Sequence, residues 1–213
     1  MKPPRFQYTR PGILDEVLAL LDQYGEDAKI LAGGQSLIPL LNMRLAGPAY
    51  LIDINHVSEL NYIEPEDGYL AIGAIVRQRQ VERSPLAQAL FPMLVEVVQH
   101  IGHMQIRNRG TLVGSIAHAD PAAELPALLT CLNGEVVAQS VHGERIMKAE
   151  EFFTGYLSTG LQPGEMLTEV RFPWIPQQAG WAVARSGECL HGRPLDHPRT
   201  QHVSHRQAAT IDR

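Results

Sequence analysis

Leu31-Ala32-Gly33-Gly34-Gln35-Ser36 joins a short apolar run, Lys29-Ile30-Leu31, to a segment carrying Leu37, Leu40, Leu41 and Met43. The run before it is too short for a helix and reads as a buried strand. The segment after it reads as a helix, with Ser36 a good N-cap. Two successive glycines let the backbone approach a ligand closely and take up positive φ. The N–H groups at such a helix start are free, which suits phosphate or pyrophosphate. The residues form neither G-x-G-x-x-G nor the P-loop pattern, so a classical Rossmann or P-loop reading fails. An anion cradle and a plain strand-to-helix turn both explain these residues, and local sequence does not separate them.

Outward from that turn, residues 11–28 read as a helix, with Leu14, Val17, Leu18 and Leu21 on one stripe and Gly25 at its C-terminal end. Tyr50-Leu51-Ile52-Asp53-Ile54 is a second strand. Residues 1–55 therefore read as a small α/β unit. Beyond it, Asn61 to Glu64, the turn Pro65-Glu66-Asp67-Gly68, and Tyr69 to Ile72 form a hairpin signal. Residues 77–83, 85–101 and 121–132 read as helices, 107–110 as a polar loop, and 135–138 and 166–172 as strands.

A second stretch bears chemistry. Arg109-Gly110-Thr111-Leu112-Val113-Gly114-Ser115 runs on through His118 and Asp120 to Glu124. Its small and hydroxylated residues leave room for a bulky ligand, and Thr111 and Ser115 can hydrogen-bond it. Asp120 reads either as the N-cap of the helix opened by Pro121 or as a ligand contact, and Glu124 either as a first-turn acid or as a ribose ligand. His118 alone reads as a structural histidine.

The whole chain bounds these readings. Its 213 residues are 45% hydrophobic and 19% charged, an ordinary globular composition. A net charge of −5 argues against a non-specific nucleic-acid binder, and no apolar run is long enough for a membrane span. The first residues lack a secretory signal, so the expected location is cytoplasmic. Two cysteines, Cys131 and Cys189, are too few for a disulfide framework or an iron–sulfur site, and no metal site is expected. From Ala182 onward the pattern shows neither strand alternation nor a helical stripe. The spacing of Cys189, His191, His197, His202 and His205 matches no zinc signature.

Taken as a pair, the two glycine-bearing segments closely resemble the FAD-contacting motifs of the molybdenum hydroxylases, above all the medium subunit of the carbon monoxide dehydrogenase type. The FAD domain of xanthine dehydrogenase is a more distant relative. The likeness runs from Met1 to about Trp181 and includes Ile72-Gly73-Ala74 and Gly164 to Val170. It implies an α+β, two-lobed FAD-binding fold of the vanillyl-alcohol oxidase/MurB (PCMH) type. Lobe 1 would be residues 1–55 and lobe 2 residues 56–181, with an atypical tail at 182–213 in place of the family's C-terminal domain. That tail is expected to reflect truncation or a shifted reading frame.

The resemblance further implies FAD lying extended between the lobes. Ala32, Gly33, Gly34, Gln35 and Ser36 would hold the pyrophosphate, and Thr111, Leu112, Val113, Gly114 and Ser115 would line the flavin side. Glu124 falls where the family has an acidic nucleotide ligand, and Leu167 where an apolar residue meets a ring. No catalytic residue is implied. The partners would be a large molybdenum-cofactor subunit and a small [2Fe–2S] subunit, in a heterotrimer or its dimer, with electrons passing through FAD to an external acceptor. One departure stands out: Val113-Gly114-Ser115 replaces Gly-Gly-Asn, so the backbone there is expected to be ordinary β or the FAD contact altered. Competing readings are a stand-alone flavin oxidoreductase and an FAD-free assembly module.

Overall fold

The structure, a computed structural model, describes residues 2–175, 179–185 and 201–207. In chain order the first elements are β1 (Gln7–Thr9), α1 (Leu14–Tyr24), β2 (Ala28–Leu31), α2 (Leu37–Asn42) and β3 (Tyr50–Asp53). Helix α1 buries Val17, Leu18 and Leu21 of the predicted stripe, while Leu14 is half-buried. It ends at Gly25, whose φ of 50° only glycine adopts freely and whose N–H donates to the Leu21 carbonyl. A 3₁₀ turn at Gly25–Asp27 then leads into β2, so the helix is shorter than the predicted 11–28. The parallel sheet has the order β1-β3-β2, with Gln7 opposite Tyr50 and Ile30 opposite Ile52. The edge strand β1 carries too few apolar residues to be read from sequence.

A second group of elements follows: β4 (Ile63–Glu66), β5 (Tyr69–Gly73), α3 (Gln78–Arg83), α4 (Pro85–Leu90), α5 (Pro92–Gln99), α6 (Met104–Arg109), α7 (Leu112–His118) and α8 (Glu124–Cys131). Then come β6 (Glu135–Ser140), β7 (Gly143–Lys148), α9 (Ala149–Phe152), β8 (Phe153–Gly155), β9 (Ser158–Thr159) and β10 (Met166–Pro173). The predicted hairpin is β4–β5, closed at Gly68 with φ of 94°. Pro65 sits on the sheet edge, where a missing N–H is tolerated. The single helix expected over 85–101 is split, because Phe91 precedes Pro92 and leaves the helical region at φ −142° and ψ 60°. The loop expected at 107–110 is the end of α6 instead.

The larger sheet is antiparallel, in the order β4-β5-β10-β6-β7. Its central strand β10 pairs Val170 with Ile72 on one side and with Val136 on the other. Phe91, Phe152 and Phe172 are fully buried. The expected boundary near residue 55 falls between β3 and β4, yet one hydrophobic cluster crosses it and joins Val17, Leu18 and Leu21 to Val136, Ala138 and Val170.

Strands β11 (Ala179–Arg185) and β12 (Gln201–Gln207) pair antiparallel, Ala179 opposite Gln207 and Arg185 opposite Gln201. Sequence pattern showed no strand there, since backbone pairing needs no apolar alternation. Cys189, His191 and His197 lie outside the described residues. Among those described, no helix is long and apolar enough to cross a membrane.

Candidate functional site

The two segments singled out in the sequence meet in space. A Cβ on Gly33 would lie 2.7 Å from the Arg109 carbonyl oxygen, 2.7 Å from Gly110 Cα and 2.8 Å from Thr111 N. Gly33 is therefore glycine because a second backbone passes against it. Gly34 is glycine for another reason: its φ is 72°, and Leu31 and Ile38 crowd the space a side chain would take.

Ser36 does not act as the predicted N-cap, because its backbone is already helical and its hydroxyl caps nothing. Helix α2 has only six residues, so its dipole contributes little. What the turn offers instead is donors. Among the described residues, the N–H groups of Gly33, Gly34, Gln35 and Ser36 meet no protein acceptor.

The second segment is held from behind. Gln78 N donates to the Gly110 carbonyl at 2.9 Å, and Leu112 N to the Val76 carbonyl at 3.0 Å. Thr111 is buried and caps α7, its Oγ1 accepting the Gly114 N–H at 3.1 Å. A Cβ on Gly114 would lie 2.4 Å from that oxygen, so a side chain there would push the Thr111 hydroxyl off its cap. Leu112 and Val113 turn their side chains into the core, at 0% and 2% exposure, while Gly114 and Ser115 stay half-buried. Residue 113 is thus helical, neither ordinary β nor a forced positive φ, and valine fits where the family pattern has glycine.

Asp120 is not the N-cap of α8. Its Oδ1 accepts the Ala122 N–H at 2.9 Å in a local turn, and Ala123 holds the cap position. His118 lies in the last turn of α7. Glu124 opens α8, and Leu167 is buried in β10 opposite Ala138. Glu124 and Leu167 lie on elements outside the Gly33–Gly110 junction, and His118 sits at the far end of the helix that Thr111 caps.

Sequence reading missed a polar chain behind the junction. Asp53 Oδ2 accepts the Tyr8 hydroxyl at 2.5 Å, and its Oδ1 accepts Asn55 N at 2.9 Å and Asn55 Nδ2 at 2.5 Å. Asn55 Nδ2 also donates to the Ala32 carbonyl at 3.0 Å. Arg77 completes the chain, its guanidinium donating to Asn55 Oδ1 and to the Arg109 carbonyl. A lone asparagine and a lone arginine carry no motif, so no local signal pointed to them.

Burial pushes the Asp53 carboxyl up, but the hydrogen bonds from Tyr8 and Asn55 outweigh it and hold the group below its ordinary value. Such a group stabilises the fold above the ordinary carboxylate pKa of about 3.9, and that contribution fades as pH falls below it. Tyr8→Phe removes one donor and is expected to cost about 1 kcal/mol at pH 7, discounted for the exposure of Tyr8. Urea unfolding at pH 7 and pH 3 checks this: the gap between wild type and variant should shrink at pH 3.

Known proteins share this arrangement of chain. Residues 4–175 match the family described as the FAD binding domain in molybdopterin dehydrogenase. The chain is 45% identical over 183 residues to the caffeine dehydrogenase subunit beta of Pseudomonas sp. (strain CBB1), covering 85% of this chain and 62% of that one. It is 42% identical over 185 residues to the carbon monoxide dehydrogenase medium chain of Hydrogenophaga pseudoflava, covering 87% of this chain and 64% of that one. The structure of carbon monoxide dehydrogenase from Hydrogenophaga pseudoflava, in a form lacking the Mo-pyranopterin moiety, superposes with a TM-score of 0.84 at 41% identity. It covers 88% of this chain and 66% of that one. This chain thus spans 62% to 66% of the length of these relatives. A match over residues 4–175, met by paired glycine segments that close on one another, shows that the chain belongs to the family of FAD-binding domains of the molybdopterin dehydrogenases.

Proposed function

We propose that this chain holds FAD in the junction between its two glycine segments and serves as the flavin station of a cytoplasmic molybdenum hydroxylase. The observation that carries this reading is the meeting of Gly33 with Arg109, Gly110 and Thr111 beside four N–H groups without protein acceptors.

The residues present fit such a cofactor. The packing of Gly33 on the second segment sets that segment beside a run of unused backbone donors, which suits a pyrophosphate. Gly33, Gly34, Gln35 and Ser36 would bind it through their amides, with Ala32 fixing the turn. The half-buried Gly114 and Ser115 would face the flavin half. Thr111, Leu112 and Val113 support them from the helix cap and the core. Glu124 and Leu167 are assigned a ribose contact and a ring contact by family likeness. FAD, when bound, supplies the redox chemistry, while the protein supplies binding and electrostatics.

On this reading the cofactor lies between a lobe of residues 1–55 and a lobe of residues 56–181, in a PCMH-type fold. The partners are a large subunit bearing the molybdenum cofactor and a small subunit bearing [2Fe–2S] clusters, from which electrons pass to an external acceptor. Relatives named as subunits or chains of dehydrogenases support a multi-subunit complex.

The absorbance spectrum of the full chain, purified with and without those partners, tests this. The expected result is flavin near 1:1, released as FAD, and reduced by substrate only when the partners are present. Reduction by a small substrate with this chain alone would point to a stand-alone flavin enzyme. No flavin after reconstitution would overturn the reading.

A further inference from the structure

Arg77 stands apart from the arginines near it. Arg79 and Arg107 both pair with Glu82, at 2.6 and 3.1 Å. Among the described residues Arg77 meets no carboxylate within ion-pair distance, and its guanidinium is spent on two neutral acceptors, Asn55 Oδ1 and the Arg109 carbonyl. Those acceptors belong to different parts of the chain. Asn55 reaches the first glycine segment through Ala32 O and is itself fixed by Asp53. Arg109 O is one of the second-segment atoms that a Cβ on Gly33 would strike, at 2.7 Å. The planar guanidinium fork can hold two acceptors at once, which an ammonium on a flexible stem does not reproduce.

We propose that Arg77 and Asn55 are positioning residues: they hold the Ala32 and Arg109 carbonyls on one hydrogen-bonded strap, so that the two cofactor-facing segments keep their spacing before a flavin nucleotide arrives. This rests on the FAD reading for its consequence but not for its geometry. The arrangement is held against an electrostatic cost. Burial and the like charge of Arg109 press the Arg77 guanidinium toward its neutral form, and only Asp53 opposes them. The backbone of Arg77 is fixed as well, its N–H donating to Gln80 Oε1 at 2.6 Å. A site whose geometry is set in advance spends less of its binding free energy on ordering.

Two measurements on the full chain decide this, using Arg77→Met, Arg77→Lys, Asn55→Ala and the double variant Arg77→Met/Asn55→Ala, each shown to be folded by circular dichroism. In an FAD titration, Arg77→Met and Asn55→Ala should each weaken binding about tenfold or more. The double variant should lose little beyond the worse single, because both changes cut one strap. Arg77→Lys should stay near Arg77→Met. Unchanged affinity, additive losses, or full rescue by lysine would each overturn the strap. In hydrogen exchange without FAD, Asn55→Ala should speed exchange at the Gly110 and Leu112 amides, although Asn55 touches neither. Acceleration confined to residues next to Asn55 would overturn the strap even if the wild-type chain took up no FAD. Failure of wild-type uptake alone would instead overturn the flavin reading.

Discussion

Gly33→Val is expected to abolish FAD retention and to destabilise the chain by about 3 kcal/mol. The Cβ of the new side chain would fall within 2.8 Å of three backbone atoms, on Arg109, Gly110 and Thr111. Backbone atoms cannot rotate out of the way as the tip of a long side chain can. The second segment must then move off, and with it go the bonds from Gln78 N to Gly110 O and from Leu112 N to Val76 O. Overpacking costs about 1–3 kcal/mol, and each lost hydrogen bond about 0.5–1.5 kcal/mol. The flavin spectrum and a urea unfolding curve measure the two effects separately. A variant that kept full flavin occupancy would show that these segments are not the cradle. The reason for the effect differs from the one the residues suggest by themselves. A double glycine invites the idea that a ligand needs the space, whereas at Gly33 it is the protein's own second segment that occupies it.

Phe172→Ala strikes the scaffold rather than the site. Phe172 is fully buried in β10, the central strand of the larger sheet, and its ring lies 6.0 Å from that of Phe91 at a tilt of 57°. Truncating a buried phenylalanine to alanine costs about 3–5 kcal/mol, because the cavity collapses only in part. Against a total stability of about 5–15 kcal/mol, that leaves a marginal fold. The urea midpoint should fall sharply with an unchanged slope, since the surface exposed on unfolding hardly alters. Phe172→Leu, which refills most of the volume, should recover more than half of the loss. A drop below about 1 kcal/mol for the alanine variant would mean that the core there repacks.

Much of the fold is legible residue by residue. The stripe Val17, Leu18, Leu21 marks α1, and Gly25 marks its end. Asp67-Gly68 marks the β4–β5 turn, and Lys29 to Leu31 marks β2. The errors have local physical causes as well. Pro92 breaks a helix that the apolar spacing carries straight through, because spacing does not register the backbone restriction placed on Phe91. Strand β1 escapes notice because an exposed edge strand of three residues needs little apolar surface. Both glycine segments are visible in the sequence, but their contact is not.

The sequence by itself determined the elements whose signals span a few residues: the amphipathic helix, the tight hairpin, and the glycine turn between β2 and α2. Tertiary structure alone decided the order β1-β3-β2, the capping role of Thr111, the burial of Val113, and the chain from Asp53 through Asn55 to Arg77. Periodicity, capping and turn chemistry report interactions among near neighbours in the chain. The closeness of Gly33 to Arg109 and the two-ended grip of Arg77 depend instead on how distant segments pack, and neither residue bears a local mark of its partner.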